Sequence, residues 1–320
     1  MIVSVGLLLL GFVILVYGAD KLVEAASSLA AGFGVSQLVI GLTIVAFGTS
    51  APEMVVNVFA SLDGSSQMVL GNVLGSNIFN VLAILGISAV ILPLQVKTNT
   101  TWIEIPLSFL AAIVVLVLVS DSWLNDFTIN IISKGDGMVL LLFFAVFLVY
   151  NIVVSKNPDQ NPDTTEIVSY STQKSIFWIL IGLGGLILGG KLIVDNAIAI
   201  AQTLGLSERI IGLTIVSIGT SLPELATSVA AVRKNKVDIA IGNVVGSNIF
   251  NIFFILGVSS VIGPVAVAEA NFIDIYVNIL AGILLFVFVF TGKGRVLNRL
   301  EGSIFLVMYV VYIASLVMME

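Results

Sequence analysis

Two stretches of this chain each occur twice at one fixed offset, and no other feature constrains its fold as tightly. Gly48-Thr49-Ser50-Ala51-Pro52-Glu53 returns as Gly219-Thr220-Ser221-Leu222-Pro223-Glu224, so that Glu53 and Glu224 stand 171 positions apart. Asn80 and Asn251 are separated by the same 171. Val39–Glu53 agrees with Ile210–Glu224 at 11 of 15 positions, and Gly71–Asn80 with Gly242–Asn251 at 9 of 10. Apolar bias alone does not put polar residues in that register, so the chain reads as a duplicated unit.

The medium that unit occupies follows from its side chains. Hydrophobic residues make up 58% of the 320 positions and charged residues 10%, where a soluble domain carries about a quarter charged. An all-α polytopic membrane protein is expected, with the lipid bilayer as its surroundings. The net charge of −6 comes from few residues and includes no basic patch, so no nucleic-acid partner is expected. Cysteine and histidine are both absent, which removes disulfides, thiol redox chemistry, zinc and haem sites and any histidine-dependent triad. Metal chemistry here must run through hard oxygen atoms. No cofactor and no enzyme activity are expected.

Ten spans can be placed, at about 2–30, 37–62, 67–92, 102–120, 137–155, 173–203, 208–232, 239–263, 272–291 and 302–319. The first lacks a basic leader and is read as a retained span rather than a cleaved signal peptide. Pro93 and Pro264 close the third and eighth spans. The expected organisation is a five-helix repeat over 1–155, a polar cytoplasmic linker over 156–172 and a second repeat over 173–320. Five is odd, so the second copy must enter from the opposite side, giving an inverted repeat with a site near the midplane. Helices 2, 3, 7 and 8 are expected to be broken. With the N-terminus outside, cytoplasmic loops carry Lys97, Lys156, Lys174, Arg233, Lys234, Lys236, Lys293, Arg295 and Arg299, and external ones only Lys134 and Arg209. Both termini are therefore expected to be extracellular.

Proline in mid-span removes a backbone donor and breaks the helix. At Pro52 and Pro223 it does so beside a carboxylate that the bilayer makes costly unless it is paired. Freed carbonyls at the partly negative end of a half-helix, next to an acid, make a cation site. Two such units facing each other offer Glu53, Glu224 and the carbonyls of Thr49 and Thr220, an all-oxygen set suited to Ca²⁺, which takes about 6–8 oxygens. The plain alternative is a structural kink with each glutamate bonded to a neighbouring hydroxyl or amide. Ser76 and Asn80, like Ser247 and Asn251, share a helix face at i, i+4 and either ligate a monovalent ion or orient the glutamates. Asn72, Asn77, Asn243 and Asn248 read equally as interhelical glue or as ligands. Asp20, Lys21 and Glu24, with Lys191 and Asp195, read as ion pairs or snorkelling side chains. The glycines at 182, 184, 185, 189 and 190 mark a packing face or a sliding one.

At these residues the chain resembles the cation/Ca²⁺ exchanger superfamily, and within it the prokaryotic Na⁺/Ca²⁺ exchangers, over its whole length. The resemblance implies a central Ca²⁺ site with Glu53 and Glu224 as its carboxylates and the carbonyls of Thr49 and Thr220. It implies flanking Na⁺ sites at Ser50 and Ser76 in one half and Ser221 and Ser247 in the other, joined by the carbonyls of Ala46 and Ser217, with Asn80 and Asn251 at the centre. Some members have aspartate in place of Asn251, and asparagine here argues against K⁺ cotransport. The expected function is antiport of Na⁺ for Ca²⁺ by alternating access, in a prokaryotic plasma membrane, by a chain functional as a monomer, with helices one and six as the moving gate. An H⁺/Ca²⁺ exchanger on the same fold is the alternative. From a different class, a Ca²⁺ channel would use the same glutamates as a filter.

Overall fold

The computed structural model describes residues 2–124, 129–155, 169–203, 217–269, 271–291 and 294–318. Besides a single turn at Asp121–Leu124, its helices are α1 (Ile2–Phe33), α2 (Gln37–Thr49), α3 (Ala51–Leu62), α4 (Ser66–Ile91), α5 (Thr100–Leu118), α6 (Lys134–Ser155), α7 (Thr172–Thr203), α8 (Ser217–Thr220), α9 (Leu222–Arg233), α10 (Val237–Ile262), α11 (Asn271–Thr291) and α12 (Arg299–Met318). Among the described residues eight helices are long and apolar enough to cross a bilayer, and the bent pair α2–α3 makes a ninth. Of the expected span 208–232, residues 208–216 lie outside the described residues; α8 and most of α9 are its remainder. Most of the linker 156–172 also lies outside them. The fold is a helical polytopic membrane fold.

The offset of 171 seen in the sequence reappears in the elements. Ala46–Thr49 and Ala51–Leu62 correspond to Ser217–Thr220 and Leu222–Arg233, and Ser66–Ile78 corresponds to Val237–Ile249. The first break falls at Ser50 (φ −81°, ψ 8°), where α2 and α3 meet at 47°. Pro52 has no N–H to offer the carbonyl of Gly48, four residues back. Proline also acts at the ends of α4 and α10. Leu92 and Gly263, each before a proline, are extended (φ −144° and −147°), as the clash with the proline ring requires.

The third and eighth spans differ from expectation. They are not broken: α4 and α10 run continuously, each through a wide π-helical segment, Phe79–Leu85 and Phe250–Leu256. These segments contain no proline, so every residue keeps its N–H and the helix widens, each bond reaching one residue further (i→i+5), instead of ending. Such segments concentrate at functional sites, and these two contain Asn80 and Asn251.

Burial decides which helices form the centre. In α4 and α10, 78% and 94% of the most apolar stretch is buried, against 22–33% in the other six long helices. Leu142, Val146, Leu180, Val307 and Val310 project outward from those outer helices, as a lipid-facing surface requires. α1 and α7 pack backbone to backbone. A Cβ on Gly18 would come within 2.8 Å of the Gly182 carbonyl, and one on Gly189 within 2.7 Å of the Leu15 nitrogen. Gly184 meets nothing within 4 Å and belongs to the outward side. Two small antiparallel ladders cross between the halves, Leu94–Gln95 with Val296–Leu297 and Asn130–Ile132 with Val265–Val267.

The charged residues of α1 are paired. Lys234, just past α9, lies 2.9 Å from Glu24 Oε1 and 3.2 Å from Asp20 Oδ1, and Lys21 lies 3.0 Å from Glu24 Oε2. Lys191 and Asp195 sit on the exposed side of α7. All members of the α1 network are partly exposed, so Lys234→Ala should lower the unfolding midpoint by no more than about 1 kcal/mol equivalent, checked by thermal unfolding in detergent.

Candidate cation site

Each break leaves a glutamate in the first turn of the helix that follows it, Glu53 in α3 and Glu224 in α9. Both are buried, with 1% of their surface exposed. The shortest side-chain bonds to their carboxylates come from the opposite half, with a longer one at 3.5 Å from Ser247 to Glu224 Oε1 inside the second half. The Ser221 hydroxyl donates to Glu53 Oε1 at 2.9 Å and lies 3.0 Å from the Ser76 hydroxyl. In the mirror arrangement Ser50 donates to Glu224 Oε1 at 2.9 Å and lies 3.0 Å from the Ser247 hydroxyl. The structure therefore brings Glu53, Ser221 and Ser76 into one cluster, and Glu224, Ser50 and Ser247 into another.

The threonines at the break are held by asparagines of the opposite half. The Thr49 hydroxyl, with one proton to give, has three acceptors in reach: Asn243 Oδ1 at 3.0 Å, the Val45 carbonyl at 3.0 Å and the Ala46 carbonyl at 3.3 Å. Asn243 Nδ2 in turn donates to the backbone carbonyl of Glu224 at 3.2 Å and to Ser228 at 3.0 Å. Thr220 reaches Asn72 Oδ1 at 3.4 Å, and Asn72 donates to Asn57 at 2.8 Å. Asn57 and Ser228 were not singled out by sequence, although each lies one turn beyond its glutamate on the same face. The Ala46 carbonyl already accepts from the Ser50 N–H at 3.0 Å and lies 3.3 Å from the Thr49 hydroxyl. Of Ser217 only the backbone, opening α8, is described.

Asn80 and Asn251 project from the π segments, one turn along from Ser76 and Ser247. Asn80 Nδ2 donates to Asn248 Oδ1 at 3.0 Å and Asn251 Nδ2 to Asn77 Oδ1 at 2.9 Å. Both nitrogens are thus used, and the buried oxygens without a hydrogen-bond partner include four that belong to these residues: Glu53 Oε2, Glu224 Oε2, Asn80 Oδ1 and Asn251 Oδ1. All four are acceptors, one from each of α3, α9, α4 and α10, and they fall into two pairs 171 residues apart. An unpartnered buried acceptor costs about 1–3 kcal/mol, and more when it is charged. A set that is all oxygen and carries two carboxylates is chemically suited to a hard cation. Among the described residues no group of three or more His, Cys, Asp or Glu side chains gathers, and the carboxylates at the two breaks are those of Glu53 and Glu224.

Asn243 links three groups, and its loss strands buried donors and acceptors on both halves. Asn243→Leu should cost about 1–3 kcal/mol of stability, read as a lowered unfolding midpoint in detergent.

A helical polytopic membrane protein with a buried glutamate just past each of two helix breaks is the class that fold and site define. Comparison with known proteins narrows it. The family model described as sodium/calcium exchanger protein matches residues 3–153 and 174–318. The sodium/calcium exchanger MaX1 of Methanosarcina acetivorans is 34% identical over 97% of each chain. The inner membrane protein YrbG of Escherichia coli is 38% identical over 82% of this chain and 81% of its own. Among solved structures, the sodium-calcium exchanger NCX_Mj soaked with 10 mM Na⁺ and zero Ca²⁺ superposes with a TM-score of 0.83 at 34% identity, covering 98% of this chain and 99% of the other. The chain belongs to the sodium/calcium exchanger family.

Proposed function

We propose that the chain is a secondary active antiporter that exchanges Na⁺ for Ca²⁺ across a prokaryotic plasma membrane. The observation that carries this reading is the set of four partnerless buried oxygens on Glu53, Glu224, Asn80 and Asn251. Ca²⁺ would be held by the two carboxylates with the carbonyls of Thr49 and Thr220. Na⁺ would use Ser50, Ser76, Ser221 and Ser247 with the carbonyls of Ala46 and Ser217, and Asn80 and Asn251 would serve at the centre. The Ala46 carbonyl is the most distant of the three acceptors that share the Thr49 proton, at 3.3 Å, which leaves it the readiest of them to turn to Na⁺.

The architecture proposed with it is ten helices in two inverted five-helix repeats, 1–155 and 173–320, with both termini outside and the monomer as the working unit. Inversion turns one gating motion into access from either side. The close α1–α7 packing supports these two helices moving as one body. Two carboxylates balance one divalent charge, so Ca²⁺ and a full Na⁺ load exclude each other. Any surplus of Na⁺ charge over two makes the exchange electrogenic, at about 2.3 kcal/mol per charge per 100 mV.

Uptake of radioactive Ca²⁺ into Na⁺-loaded vesicles tests the reading. Uptake should cease when the Na⁺ gradient is abolished, and uptake indifferent to it would refute the exchange. Single-channel Ca²⁺ currents would point instead to a pore. Exchange should also slow as pH is lowered, because protonating either carboxylate removes charge that the divalent ion needs; a pH-independent rate would contradict the two-acid site.

A further inference from the structure

We infer that Asn77 and Asn248, which are not themselves offered as ligands, are positioning residues that turn the amides of Asn251 and Asn80 oxygen-first toward the ion. This rests on the proposed cation site. The orientation begins at two backbone carbonyls. Asn77 Nδ2 donates to the carbonyl of Asn248 at 3.1 Å, and Asn248 Nδ2 to the carbonyl of Asn77 at 3.4 Å. A carbonyl can only accept, so each of these side chains must face it with nitrogen. Their own Oδ1 atoms are then turned toward Asn251 and Asn80, and an oxygen there can be satisfied only by an N–H. Asn80 and Asn251 accordingly spend their nitrogens on Asn248 and Asn77, at 3.0 and 2.9 Å, and keep Oδ1 unpartnered.

Each ligand amide is therefore oriented by a relay that starts at a backbone carbonyl of its own helix and passes through an asparagine of the other half. All four residues are buried, 4% exposed or less, so bulk water is not at hand to take over either bond. Without the relay the amide is free to rotate by half a turn and aim two N–H groups at a cation. Interhelical glue alone would not require this order of donors, nor leave both outer oxygens bare.

The test is a pair of double-mutant cycles on the full chain in detergent, reading the Ca²⁺ concentration for half-maximal thermal stabilisation. Asn248→Ala should raise it by about tenfold or more, the scale of one mis-set hydrogen-bonding group beside a charge. In an Asn80→Asp background the same change should raise it little or not at all, because a carboxylate shows oxygen whichever way it turns. An equal rise in both backgrounds would overturn the inference and leave Asn248 as packing. The mirror cycle, Asn77→Ala with and without Asn251→Asp, carries the same expectations and decides the matter if an Asn248 variant does not fold. A wild-type chain that Ca²⁺ does not stabilise at all would instead remove the cation-site reading, a failure visible before any variant is made.

Discussion

Glu53→Gln and Glu224→Gln should each abolish Na⁺-dependent Ca²⁺ uptake, with a loss of at least about a hundredfold. Glutamine keeps the shape of the side chain and keeps Oε1 as an acceptor for Ser221 or Ser50, so the fold has little reason to change. What changes is charge. The proposed site has two negative charges for one divalent ion, and removing one partner of a buried charge pair costs about 3–5 kcal/mol. At about 1.4 kcal/mol per decade that exceeds a hundredfold in affinity. Uptake measured on monodisperse protein in vesicles checks it, and retained uptake in both variants would dismiss the acid pair as the site.

Gly246→Val has the next largest expected effect, through packing rather than charge. A Cβ at Gly246 would lie 2.8 Å from Leu42 Cα, 2.8 Å from the Leu42 carbonyl and 2.9 Å from Ala46 Cβ. Two of these are backbone atoms, which cannot move without moving α2. Overpacking of this kind costs about 1–3 kcal/mol where the neighbours can shift. Here the shift would carry Ala46 and Thr49 away from Asn243 and Ser247, so both the unfolding midpoint and Ca²⁺ uptake should fall sharply. Gly184→Val is the control. Its added atoms meet nothing within 4 Å of the first carbon, and uptake should stay near that of the unaltered chain. Equal behaviour of the two variants would mean that the α2–α10 approach does not set the site.

Much of this architecture is legible from residue types at fixed spacing. Pro52 and Pro223 announce the breaks because a missing N–H is a local fact, and Pro93 and Pro264 announce the ends of α4 and α10 for the same reason. The duplicated register names the glutamates, serines and central asparagines together. The π segments at Phe79–Leu85 and Phe250–Leu256 leave no comparable mark, since every residue in them can also sit in an ordinary helix. This is why breaks are expected there and continuous helices are found. Bonding between the halves is likewise beyond spacing. That Ser221 serves Glu53, and Ser50 serves Glu224, depends on how α3 and α9 approach α8 and α2 in space. Lys234 against Asp20 and Glu24 is a similar case, with Lys234 and Glu24 standing 210 positions apart.

The most direct measurement of the proposed exchange is a gradient swap in one vesicle preparation. Radioactive Ca²⁺ uptake is followed with an outward gradient of Na⁺, of H⁺ or of K⁺ in turn, at a clamped membrane potential. The expected result is uptake driven by the Na⁺ gradient alone and absent from the Glu53→Gln vesicles. Uptake driven by H⁺ without Na⁺, or running equally under all three gradients, would contradict Na⁺/Ca²⁺ exchange at the two glutamates.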